Sequence, residues 1–172
     1  MDNKEKQNLE IERKFLLTKR PAGKPLSRHR IRQAYIAREG GNVVRVRQQD
    51  DRYILCIKTP AGGISRHELE YEISAGEADI LFKASAHKPV EKIREIYQGE
   101  SHLWEVDFFS GENDGLIVAE VELSQEDETI IPPPWIGPEV SGLSKFYNAN
   151  LSIRPFNQWG VRYEDLVARL MA

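Results

Sequence analysis

Glu10-Ile11-Glu12-Arg13-Lys14 places two carboxylates and an ammonium at alternate positions. Read as part of a strand over Leu9 to Leu17, this spacing turns Glu10, Glu12 and Lys14 to one face and Leu9, Ile11, Arg13 and Phe15 to the other. Adjacent carboxylates repel unless something cationic lies between them, and a divalent metal is the simplest such cation. Alone, the pattern fits a solvated edge strand equally well. Its repetition gives it weight: Arg45 with Arg47, Lys92 with Arg94, Glu105 with Asp107 and Glu120 with Glu122 share the two-residue spacing, each pair of one sign, and Lys58 closes another alternating run. Carboxylate pairs suit hard cations, and Arg and Lys pairs suit phosphate oxygens. His29, His67, His87 and His102 show no zinc-type spacing and read as surface or packed histidines.

These residues need strands to hold them. Alternation predicts strands over 9–17, 31–37, 42–48, 52–59, 64–73, 90–98, 103–109 and 116–123, separated by Gly-, Pro- and Asp-containing turns. In the fifth, Arg66, Glu68, Glu70 and Glu72 share one side. Ser74-Ala75-Gly76-Glu77 has capping-box spacing and predicts a helix to about Ala84. Pro132-Pro133-Pro134 excludes a central strand there. A short helix is expected within 141–151. Tyr163, Leu166, Val167, Leu170 and Met171 follow the amphipathic template, predicting a C-terminal helix at about 161–171 that needs an apolar surface, which the outer faces of the strands would supply.

The chain of 172 residues suits a single domain, 1–172, able to bury a core without staples. Charged residues make up 30%, yet the net charge is only −3, which argues against a basic nucleic-acid-binding face. The single Cys56, among apolar neighbours, excludes an internal disulfide and reads as a packed thiol. The polar stretch Met1 to Asn8 lacks the apolar core of a secretory signal, and no run reaches membrane-spanning length. A cytoplasmic location, with no membrane or nucleic-acid partner, is the expectation; oligomeric state is not encoded in these features.

Eight turn-linked strands suggest an antiparallel meander, which loses its open edges by closing into a barrel. Two arrangements remain open: a greasy interior with charges outside, or an inside-out barrel whose lumen holds the charges. Sorting of charge by strand favours the second, because a solvated surface needs no such sorting. A lumen so lined must contain water, metal and a polyanion.

The ordered set Glu10-Ile11-Glu12-Arg13-Lys14, Arg45-Val46-Arg47, Ile57-Lys58, Arg66-His67-Glu68-Leu69-Glu70, Lys92-Ile93-Arg94, Glu105-Val106-Asp107 and Glu120-Val121-Glu122 resembles the CYTH family, the triphosphate tunnel metalloenzymes. The likeness runs from about Leu9 to Leu151 and is nearest to the short bacterial members, including Ile131-Pro132-Pro133-Pro134-Trp135. It implies an all-β dominated fold, a closed eight-stranded antiparallel β-barrel or tunnel with a charged lumen and a few covering helices. It further implies that Glu10, Glu12, Glu120 and Glu122 hold one or two Mg²⁺ or Mn²⁺ ions, with Asp107 assisting and Glu70 orienting a cation or a basic side chain. Lys14, Arg45, Arg47, Lys58 and Arg94, with Arg66 as a further member, would bind a small-molecule triphosphate.

Lys92, beside the cation Arg94, is the candidate to take the proton of the attacking water, and Tyr35 in its Gln-Ala-Tyr context could share that task. Lys92 as one more phosphate ligand is the competing reading. The short bacterial members point to inorganic triphosphate hydrolysis. Alternatives are a class IV-type adenylate cyclase, a nucleoside or thiamine triphosphatase, and a non-catalytic polyphosphate-binding module. Gln7-Asn8-Leu9 lacks the His-Phe that tends to precede the acidic motif in cyclase-like members. A pure anion binder gains nothing from carboxylates in its own site.

Overall fold

Residue alternation resolves into nine antiparallel strands among the residues described by the computed structural model, 8–172; the charged stretch Met1–Gln7 lies outside them. They are β1 (Leu9–Leu17), β2 (Ser27–Glu39), β3 (Asn42–Gln49), β4 (Arg52–Gly62), β5 (Ser65–Ile73), β6 (Val90–Gln98), β7 (Leu103–Ser110), β8 (Ile117–Glu122) and β9 (Ile136–Glu139). The order β5-β4-β3-β2-β6-β7-β8-β1 is closed by β1 pairing with β5, which makes an eight-stranded antiparallel barrel. β9 lies outside this ring, along the C-terminal half of β1, where Phe15 faces Glu139 and Leu17 faces Ile136.

The order corrects the expected meander. The β2–β5 and β6–β8 runs are each hairpin-linked, but the chain crosses from β1 to β2 and from β5 to β6 without pairing them. Helix α1 (Ala75–Ala84) makes the second crossing. Its capping box forms as expected: the Ser74 hydroxyl accepts from the Glu77 backbone N–H while the Glu77 carboxylate accepts from the Ser74 N–H. Ala78 packs the helix on Ala34 and Val46 of the outer wall. On the other side of the barrel Phe15, Trp104 and Trp135 form a second outer cluster, with ring centroids 5.6 Å apart for Phe15–Trp104 and 5.8 Å for Trp104–Trp135. The segment after the three prolines thus covers apolar wall without entering the ring.

The inner face changes character along the strands. Glu12 and Lys14 give way to Leu16 in β1, Glu120 to Val118 in β8, Asp107 to Phe109 in β7 and Lys92 to Val90 in β6. At that end Leu16, Val90, Phe109 and Val118 pack with Phe146, Leu151, Phe156, Leu166 and Val167 from the C-terminal segment. This segment contains α2 (Asn148–Leu151), two 3₁₀ turns (Ser144–Phe146 and Phe156–Gln158) and α3 (Tyr163–Met171). The helix expected within 141–151 is therefore a tight turn and one helical turn. Helix α3 lies against β9 and adds Leu166 and Val167 to the cluster of inward-facing side chains at one barrel mouth, a surface that the outer faces of the ring strands alone do not supply. The Tyr163 hydroxyl accepts from the Leu17 N–H at 2.8 Å and donates to the Ile117 carbonyl at 3.0 Å, tying α3 to the ends of β1 and β8.

Candidate active site

The β1–β8 register sets Glu12 opposite Glu122 and Lys14 opposite Glu120, so the alternation of both strands delivers these groups to one patch of the lumen. Lys14 Nζ stands 2.6 Å from Glu12 Oε1 and 2.5 Å from Glu120 Oε1. Burial disfavours the Lys14 ammonium, but the two carboxylates more than offset that and raise its pKa above the ordinary lysine value. Burial likewise opposes ionisation of Glu12 and Glu120. Lys14 overcomes it for Glu12, and Lys14 with Arg94 holds Glu120 well below the carboxylate range.

A second group lies where β1 meets β4 and β5. Lys58 donates to Glu10 and stands 3.5 Å from Glu68, whose other oxygen is 3.0 Å from Arg45 Nη2 and accepts from the Cys56 thiol at 2.7 Å. Burial pushes Glu10 up to about 7, with the Glu12 charge adding to it. Glu68 is also buried, yet Lys58 and Arg45 bring it down to about 2. Cys56 is therefore a lumen group, its thiol pushed up to about 11 mainly by burial, and not one packed among its apolar sequence neighbours.

The third group joins β6 to β7. Lys92 pairs with Asp107; Arg94 contacts both Asp107 oxygens at 2.7 Å, pairs with Glu105 and reaches Glu120 at 2.6 Å. Glu120 thus links Lys14 to Arg94. Burial is the main reason that Lys92 is lowered to about 8; Asp107 opposes it and Arg94 reinforces it. Lys92 Nζ also lies 3.4 Å from the Asn148 side-chain oxygen.

A cavity of about 920 Å³ opens at the same end of the barrel as the C-terminal segment, between the β2–β3 and β4–β5 hairpins. Glu12, Lys14, Tyr35, Arg45, Lys58 and Arg66 line it, with Tyr147 and Asn148 contributed by the C-terminal segment. Arg66 donates to the Gly41 carbonyl at 3.2 Å, strapping the two hairpins together. A Cβ on Gly41 would meet Pro60 Cγ at 2.8 Å, so this close approach requires glycine. Arg45 and Arg47 each bury an Nε–H without an acceptor among the described residues, and Arg47 stands 3.5 Å from Glu70.

The structure therefore brings Glu12, Lys14, Tyr35, Arg45, Lys58 and Arg66 to one cavity. Lys92, Arg94 and Asp107 form the adjoining wall group, reached through Glu120, and do not line the cavity. Glu122 and Glu70 are exposed at the lumen edge. The carboxylates Glu10, Glu12, Glu120 and Glu122 offer oxygen donors only, the chemistry that Mg²⁺ or Mn²⁺ prefers. Asp107 is less available, since Lys92 and Arg94 occupy both its oxygens. Among the described residues Cys56, Glu68 and Glu70 also offer ligand atoms within 4.8 Å of one another, but a protonated thiol flanked by Arg45 and Lys58 does not suit a hard cation. Glu68 and Gln33 were not singled out by charge pairing. Glu68 stands in an unbroken ladder with Glu70 and Glu72, and Gln33 carries no charge; its only signal is its place two residues before Tyr35.

Residues 8–148 match the family model of the CYTH domain. The chain belongs to the CYTH domain family. The match begins at β1 and ends as α2 starts, so α3 lies beyond it. This CYTH chain is 43% identical over 152 residues to an inorganic triphosphatase of Acetivibrio thermocellus, covering 87% of the chain and 97% of the relative. It is 37% identical over 150 residues to an inorganic triphosphatase of Nitrosomonas europaea, covering 84% and 97%. A crystal structure of an inorganic triphosphatase superposes with a TM-score of 0.64 at 32% identity, covering 84% of this CYTH chain and 94% of that one. No helix among the described residues is long and apolar enough to cross a membrane.

Proposed function

We propose that this chain hydrolyses inorganic triphosphate with Mg²⁺ or Mn²⁺. One observation carries the reading: a cavity in which Lys14, Arg45, Lys58 and Arg66 face the carboxylate Glu12, in a family whose relatives at 43% and 37% identity are named inorganic triphosphatases. In the structure the lumen cations and carboxylates are each other's counter-ions. A triphosphate would take Lys14, Arg45, Lys58 and Arg66, with Arg47 and Arg94 deeper in the barrel, through charge-assisted hydrogen bonds. Glu10, Glu12 and Glu120, released from Lys58 and Lys14, are with Glu122 the residues to hold the divalent cation, with Asp107 behind them and Glu70 steadying Arg47. When bound, that cation offsets the charge that builds on the phosphate oxygens in the transition state.

The chain's own groups supply the rest. The buried guanidinium and ammonium groups orient the phosphates in surroundings that strengthen each contact. Lys92 takes the water's proton once its pair with Asp107 opens; its lowered pKa leaves it partly neutral near pH 8. Tyr35, raised by burial, keeps its proton and acts as a donor. The substrate is a free small molecule in the cytoplasm, and neither a nucleic acid nor a membrane takes part.

The deciding assay gives the purified protein inorganic triphosphate, ATP or thiamine triphosphate with Mg²⁺, Mn²⁺ or EDTA and follows phosphate and cyclic AMP. Cation-dependent phosphate release, fastest from inorganic triphosphate, is expected; cyclic AMP production would replace the reading with a cyclase, and binding without turnover would replace it with a polyphosphate module. For Lys92→Ala, lost turnover with retained affinity supports the base, whereas a raised KM alone makes Lys92 a phosphate ligand.

A further inference from the structure

We infer that Gln33 is a positioning residue, its side-chain amide turning the Tyr35 hydroxyl so that the phenolic proton points into the cavity at a phosphate oxygen. The inference rests on the triphosphate reading of that cavity and names a residue and a hydrogen-bond direction that it does not contain.

Strand β2 sets Gln33 and Tyr35 two residues apart on the inner face, immediately before the bulge between Tyr35 and Ala37. Gln33 is wholly buried, at 0% exposure, in a barrel interior otherwise dominated by ions and apolar groups. Its Nε2 donates to the Tyr35 hydroxyl oxygen at 2.8 Å. Its Oε1 has no partner among the described residues. An amide kept only for packing would be expected to satisfy both ends, because an unpaired buried acceptor costs about 1–3 kcal/mol. Here the donor end is used and the acceptor end is not.

The surroundings of Tyr35 make that single bond directional. Arg45, directly opposite in the β2–β3 register, stands beside the phenol and can only donate. Arg47, opposite Gln33, is likewise a pure donor. Gln33 Nε2 thus donates to the phenolic oxygen beside a guanidinium, and among the described residues no acceptor takes its proton. The cavity is the side left to it, and Tyr35 lines that cavity. Phosphate oxygens are acceptors, so a fixed O–H aimed at them is worth more than a freely turning one. With the amide turned the other way, Oε1 would accept the phenolic proton and remove it from the substrate. The direction of the Gln33 bond therefore decides whether Tyr35 helps or is idle.

The test combines Gln33→Met, close in shape but without a donor, and Gln33→Glu, whose carboxylate would draw the phenolic proton away from the cavity, with Tyr35→Phe and the double variants. Hydrolysis of inorganic triphosphate is measured as kcat and KM separately, and thermal unfolding verifies that each variant is folded. Expected are kcat losses of about 10-fold for Gln33→Met and about 100-fold for Gln33→Glu and Tyr35→Phe, with no further loss when either Gln33 change is added to Tyr35→Phe. Unchanged kcat in both Gln33 variants with only a lower unfolding temperature would overturn the inference, as would losses that multiply in the double variants. Gln33→Met provides the reading if the buried charge of Gln33→Glu prevents folding. Should the unaltered protein not hydrolyse triphosphate with any cation, the triphosphatase reading fails separately. The Gln33 assignment is then decided by calorimetric binding of inorganic triphosphate alone: equal weakening by Gln33→Glu and Tyr35→Phe, with none added in the double variant, upholds it, and any other pattern overturns it.

Discussion

The charged and the apolar ends of the lumen are built from the same strands and the same inward-facing positions, and the cavity reaches the charged groups from the apolar side, beside the C-terminal segment; the two nevertheless solve opposite problems. Where Glu12, Lys14, Arg94, Asp107 and Glu120 face inward, each ion is held by its neighbours, and Glu12 and Lys14 face the cavity. One or two positions further on, Leu16, Val90, Phe109 and Val118 face inward, and the C-terminal segment packs over them. Burying charge is costly and gains little stability over apolar packing, whereas burying apolar surface contributes about 25 cal/mol per Å². Removal of a group at the first end should therefore cost activity most, and at the second, stability.

Arg94→Ala should separate the ends most strongly. It leaves Glu120 with Lys14 alone and Asp107 with Lys92 alone and removes a phosphate donor, so kcat/KM for inorganic triphosphate should fall by about 100- to 1,000-fold. A loss under 10-fold would deny the charged end its role. Leu116→Ala, at a fully buried position of the apolar end, should lower the unfolding free energy by about 2–5 kcal/mol in urea titration. Its KM at low temperature should stay unchanged; a KM rise as large as that of Arg94→Ala would erase the contrast between the ends.

The charged end should also carry a pH signature. Glu10 titrates near 7 when folded and near 4.5 when unfolded, so between those values the folded chain binds more protons. Stability in EDTA should consequently decline as pH rises from about 4.5 to 7, by a few kcal/mol at most, and Glu10→Gln should flatten that slope. Glu68 works in the opposite sense, since its pKa is brought down to about 2: its contribution is present above 4.5 and is lost as pH falls toward 2. The smallest effect belongs to neither end. Ser74→Ala, which removes the α1 cap, should lower stability by about 1 kcal/mol with kcat unchanged.

Much of this contrast is legible in the sequence, because strict alternation carries both the charged face and its place on each strand. Val90 to Gln98 and the α1 capping box form where their residues predict. Neighbour order is not encoded locally: nothing in β1 says that it will pair with β5 and β8 and not with β2, so a meander was the simplest expectation. The seat of α3 is hidden for a related reason. An amphipathic stripe states that an apolar surface is required, and Leu16, Phe109 and Val118 form one only after the barrel has closed. Gln33 carries no charge for pairing to reveal, and its one signal in the sequence is its place on β2 beside Tyr35.

The crossover that separates β1 from β2 also bears on how the chain is made. β1 leaves the ribosome first, but its partner β8 ends at Glu122. At about 5–20 residues per second, β1 waits roughly 5–20 s with the edge that will meet β8 bare. Bare strand edges invite pairing with other chains, and charged side chains are a common defence against it. Glu10, Glu12 and Lys14 put such charges on β1, so the chemistry that lines the finished lumen also suits a first strand whose β8 partner has yet to be made.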